Sequence, residues 1–142
     1  MVTTHFLPSA NFLAIVVAGA AYFAFGYIWF SLLFNKARTA ELEKAGIKIS
    51  MPAGNQMLSK MALSFIGNVI GATAIAYVFH HFGVVTLDRA LKVGIIVGIG
   101  FVASTLAIIY PWEGKSMKLY IIDTGHYLLG LLICSFILAV WR

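Results

Sequence analysis

Apolar residues run almost unbroken through four stretches, Phe12–Phe34, Met61–Phe79, Val93–Trp112 and Leu119–Trp141, and polar residues gather in the gaps. An α-helix needs about 20 apolar residues to cross roughly 30 Å of hydrocarbon. Each stretch therefore predicts a membrane-crossing helix, and together they predict an all-α integral membrane bundle of four transmembrane helices. A single acidic residue, Asp123, falls inside the four stretches. Between the first two, Lys36–Ala45 is rich in helix formers and precedes Gly46, the residue type that commonly closes a helix. This predicts a short interfacial helix over 36–45, then a turn through Pro52 and Gly54. Such a helix either senses lipid or docks a partner, or it is a linker that spaces the first two spans.

Composition strengthens the membrane reading. The chain is 61% hydrophobic and 11% charged, against about 25% charged residues in soluble domains. Four spans and their connections take up residues 1–142, so a single transmembrane domain is expected, with no separate soluble domain. The net charge of +5 lies beside span ends and reports orientation rather than nucleic-acid binding. Lys36, Arg38, Lys44, Lys48, Lys60, Lys115 and Lys118 fall on one side of the membrane, and Arg89, Lys92 and Arg142 on the other. The positive-inside rule then puts the first and third connections in the cytoplasm and both the N-terminus and the C-terminus outside. No Lys or Arg precedes the first stretch, and it is longer than a signal-peptide core, so it reads as a retained span. Tyr110, Trp112 and Trp141 sit where interfacial aromatic anchors belong.

Polar groups within the spans are the candidate chemistry. At 1.5 Å of rise per residue, Tyr27 lies about 13 Å from Lys36 along its helix, Asn68 about 12 Å from Lys60, and Asp123 and His126 about 7 and 12 Å from Lys118. Ser104 and Thr105 fall in the same inner zone, which predicts a polar layer in the cytoplasmic half of the bilayer. Asp123, His126, Tyr127 and Gly130 follow i, i+3, i+4, i+7 spacing and share one helix face. Ionisable groups in a membrane are costly and often mark a site, and an acid beside an imidazole can relay protons or bind a cation. The competing reading is structural: Asp123 reaches water or Lys118 near its helix start, and His126 hydrogen-bonds Asn68 or Tyr27.

Small residues predict how the helices meet. Gly67 and Gly71, and Gly94 and Gly98, form GxxxG pairs, and Ala14, Ala18 and Ala21 a comparable strip. Such faces allow close approach within the bundle or between copies of the chain. Cys134, the single cysteine, excludes an intrachain disulfide and reads as a small packing residue. His5, His80 and His81 would lie outside, but consecutive histidines on a helix point about 100° apart and do not easily share an ion. No metal, cofactor or enzyme motif is legible.

The residues Gly26–Tyr27–Ile28–Trp29–Phe30–Ser31, with Leu33–Phe34–Asn35–Lys36, resemble the end of the first span in a family of small bacterial four-helix membrane proteins, catalogued as domain of unknown function 1761. The resemblance continues through Gly94–Val102 and Leu119–Tyr127 and closes at Ile137–Trp141. It implies the same four-helix fold and a bacterial inner membrane, and it transfers no activity. Two functions follow as expectations. One is permeation of a small solute, ion or proton by a homo-oligomer, using Tyr27, Asn68, Ser104, Asp123, His126 and Tyr127. The other is a non-catalytic structural or accessory protein that binds copies of itself or another membrane protein through its glycine faces.

Overall fold

The computed structural model describes residues 6–141, with backbone alone for Leu7 and Pro8. A short helical turn, α1 (Phe6–Ser9), precedes α2 (Phe12–Tyr27), which widens into a π-helical segment, Ile28–Leu33. After a break at Phe34 comes α3 (Asn35–Lys44), then α4 (Asn55–His81). The third long helix has three parts: α5 (Leu87–Val97), a π-helical segment at Gly98–Ala103, and α6 (Ser104–Trp112). The last is α7 (Met117–Val140). Among the described residues, four helices are long and apolar enough to cross a membrane: Phe12–Leu33, Asn55–His81, Leu87–Trp112 and Met117–Val140. The second and third begin six residues before their apolar runs, because polar first turns extend each helix past its hydrophobic part.

Local chemistry sets the ends. Asn11 Oδ1 accepts from the Ala14 N–H at 3.0 Å, Thr86 Oγ1 from Arg89 at 3.4 Å and Ser116 Oγ from Leu119 at 3.2 Å, each capping a helix start. Gly46 closes α3 in the left-handed region (φ +78°), with the Ile47 N–H bonded back to the Leu42 carbonyl at 2.9 Å. Gly114 (φ +69°) ends α6 in the same way.

The last helix is the hub. In the most apolar window of α7, 44% of residues are buried, against 17% for α4. Its stripe Leu119, Ile122, Asp123, His126, Gly130, Leu131, Cys134, Ser135 and Leu138 faces inward. On one side α2 packs against it through Ala18 and Tyr22, and Cys134 Sγ lies 3.5 Å from the Ala18 carbonyl, as a packing residue would. On the other side α5 packs through Gly94 and the π-helical segment after it through Gly98: a Cβ at Gly94 would meet Ser135 Oγ at 2.6 Å. α4 lies mainly against α2, where Gly19 sits against Val69 and Ala72 and Ile75 are buried. The other glycine pair behaves differently. A Cβ added at Gly67 or Gly71 would meet nothing within 4 Å, so neither glycine is at a close helix–helix approach among the described residues. Residues 55–64 of α4 are exposed throughout.

Candidate functional site

The site forms where the α7 N-terminus, α3, α6 and the π-helical end of the first span meet. Ser116 starts α7, and Asp123 follows two turns in, on the inward stripe. In the π-helical segment the wider turn brings two successive aromatics to α7: Trp29 donates its indole N–H to the Ile122 carbonyl at 2.9 Å, and the Phe30 ring lies 4.5 Å from that of His126. The break at Phe34 turns the chain back as α3, which carries Arg38 to Asp123.

Asp123 has both oxygens engaged. Arg38 Nε donates to Oδ1 at 2.8 Å, and the Tyr110 hydroxyl donates to Oδ2 at 2.6 Å. The Arg38 guanidinium also lies over the Phe30 ring, 4.8 Å from its centroid. Asp123 is only 3% exposed, so a carboxylate there needs such partners to stay charged.

A second contact lies at the helix end. Ser116 donates to Glu41 Oε2 at 2.6 Å while its oxygen caps α7, and Lys44 donates to Glu41 Oε1 at 2.9 Å. The hydroxyl's hydrogen bond and then the ammonium hold the Glu41 carboxyl below its ordinary range. Leu42 packs beside it with Tyr110 and Leu119. Helix α3 is thus docked on the bundle end by the Arg38–Asp123 ion pair, the Ser116–Glu41 hydrogen bond and an apolar plug.

One turn deeper, His126 is 6% exposed and enclosed by rings. Phe25 stacks on it at 5.7 Å, and Tyr22 and Tyr127 stand 5.4 and 5.0 Å away. Gly26 makes room, since a Cβ there would sit 2.9 Å from Nε2. Neither ring nitrogen has a hydrogen-bond partner among the described residues.

The expected polar layer is therefore only partly assembled. Asp123 and His126 are buried side by side, with the half-exposed Tyr127 at their edge. Tyr27 is 63% exposed on the outer face of its helix. Asn68 lies half-buried on α4, with no hydrogen bond to His126. Ser104 is exposed and bonds to the Gly100 carbonyl at 2.6 Å, satisfying backbone in the π-helical segment. Depth along each helix places residues at one level, and azimuth then points them apart. Asp123 pairs with Arg38 rather than Lys118. Arg38, Tyr110, Trp29, Glu41 and Ser116 were not among the residues expected from sequence. A basic residue just past a span end reads as a topology signal, and Tyr110 as an interfacial anchor; the density of rings in Phe23–Phe30 was the available hint. His81 stacks on Tyr77 while His80 meets Phe6, so the two rings diverge. His5 lies outside the described residues, among which no group of three His, Cys, Asp or Glu could hold a metal.

A family model described as "Protein of unknown function (DUF1761)" matches residues 13–139. The chain belongs to this family. No curated protein and no solved structure matches it. The matched region of this DUF1761 protein contains Asp123, its partners Arg38 and Tyr110, and the neighbouring Trp29 and His126.

Proposed function

We propose that this DUF1761 protein is a non-catalytic component of the bacterial cytoplasmic membrane that assembles with copies of itself or with another membrane protein. The observation that carries this reading is that Asp123 is consumed inside the chain: both oxygens are bonded, and the residue is buried under α3. A transport acid needs an exchangeable partner or water, and here both oxygens are taken by side chains of the same chain. The Gly67–Gly71 face of α4, at no close helix–helix approach among the described residues, is the surface available for assembly. The excess of basic residues supports a cytoplasmic location for α3.

Proton permeation is the second reading, supported by the two unpartnered nitrogens of His126 beside Asp123. The two separate in liposomes carrying a potassium gradient and valinomycin. The assembly reading expects proton flux no faster than in empty vesicles, and disulfide-trapped dimers or a discrete complex from Gly67→Cys in native membranes. Flux that Asp123→Asn and His126→Ala abolish, with folding intact, overturns it in favour of the permease.

A further inference from the structure

Arg38 is held on one side and open on the other. Its backbone is fixed in the first turn of α3, where its N–H donates to the Phe34 carbonyl at 2.8 Å. Nε is spent on Asp123, and the guanidinium lies over the Phe30 ring. The terminal nitrogens Nη1 and Nη2 make no hydrogen bond among the described residues, and neither is buried. A planar guanidinium clamped through Nε, with both Nη groups free to donate, is a receptor for an oxyanion, and phosphate accepts such donors in pairs. The surroundings favour negative charge. At this end of the bundle Lys36, Lys48, Lys60 and Lys118 are exposed and have no acidic partner among the described residues. Most acids here are already paired: Glu41 with Lys44, Glu113 with Lys115 and Asp123 with Arg38, which leaves Glu43. Apolar surface adjoins the same place. The first span ends just before α3 with Leu32 and Leu33 exposed, and past α3 the exposed Ile47, Ile49 and Met51 alternate with Lys48 and Ser50.

We propose that Arg38 binds the phosphate of an anionic phospholipid, with Nη1 and Nη2 on the phosphate oxygens and the acyl chains along Leu32 and Leu33. The position of Arg38 selects a lipid over free phosphate, because the arginine follows directly on the end of a span whose last residues are exposed and apolar. At that level a lipid's phosphate lies beside the guanidinium while its chains lie beside the span. The unpaired lysines select the sign of the head group. A zwitterionic head group brings its own ammonium among four cations, whereas an anionic one gains from each of them.

The test offers the full chain in detergent an equal mixture of phosphatidylglycerol and phosphatidylcholine of the same chain length and counts retained lipid by native mass spectrometry. Phosphatidylglycerol should be retained about tenfold more strongly. Arg38→Lys keeps a cation for Asp123 but has no second pair of donors. It should weaken phosphatidylglycerol binding about tenfold, the loss of one charge-assisted hydrogen bond, and an unfolding midpoint close to that of the parent protein shows that the Asp123 contact survives. Lys36→Gln combined with Lys118→Gln touches no part of that contact and should narrow the preference about fivefold, while Arg89→Gln at the opposite end should leave it unchanged. Excess inorganic phosphate should not displace the lipid; displacement assigns Arg38 to a free anion and overturns the proposal. Equal retention of the two lipids overturns it too, as does a preference that survives Arg38→Lys. Where Arg38→Lys does not fold, a preference that survives the lysine pair decides against it.

Discussion

Asp123 shows what a charge costs in this protein and how the cost is met. Its side chain is 5% exposed while that of Arg38 is 34% exposed, so the arginine can re-enter water if the pair breaks and the aspartate cannot. Arg38→Gln should therefore be more damaging than Asp123→Asn, because it strands a buried carboxylate. A loss of about 3 kcal/mol is expected for the first and about half that for the second. Unfolding in mixed detergent measures both, and a double-mutant cycle should return a coupling above about 1 kcal/mol; additive effects would show that the pair contributes nothing. Glycines give an equally local contrast. A Cβ at Gly130 would overlap the Tyr22 ring, whereas one at Gly67 would meet open space. Gly130→Ala should cost about 1–3 kcal/mol through overpacking, and Gly67→Ala should be neutral or stabilising by up to about 1 kcal/mol. The same unfolding assay reads both, and equal effects would refute the packing described here.

The docking of α3 depends on charge state. Glu41 is a carboxylate stabilised by Ser116 and Lys44, with its pKa lowered in the folded protein. Such a group contributes docking stability above the ordinary carboxylate range, and the contribution fades as the pH falls through that range and below it. Spin labels placed on α3 and on the exposed face of α6 should report a fixed separation at neutral pH and a broadened one in acid. Glu41→Gln should weaken docking at neutral pH and flatten the acid transition attributable to this contact. A transition unchanged in Glu41→Gln would assign it to another carboxylate. The π-helical segments belong to the same scale. Ile28–Leu33 aims Trp29 and Phe30 at α7, and Trp29→Phe, losing the bond to the Ile122 carbonyl, should loosen α3 without altering the apolar core at the opposite end.

Across the whole molecule, α7 is the central element, flanked by α2 and the α5–α6 helix, with α4 against α2 as the least buried span. That arrangement separates the two glycine pairs: Gly94 and Gly98 serve the intrachain contact, and Gly67 and Gly71 are left outward. Gly98→Leu should unfold the bundle or lower its melting temperature sharply, while Gly71→Leu should leave the monomer intact and change only the size of the assembled particle, measured by light scattering. The four spans, the α3 helix with its Gly46 stop, and the shared face of Asp123 and His126 were legible in the sequence, because hydropathy and helical periodicity act locally along one chain. The docking of Arg38 and Tyr110 on Asp123, the ring enclosure of His126 and the outward aim of Tyr27 and Ser104 were decided only by tertiary structure. Depth in a bilayer can be counted from residue number, but which way a side chain points depends on helix rotation, and rotation is set by packing against neighbours that lie far away in sequence.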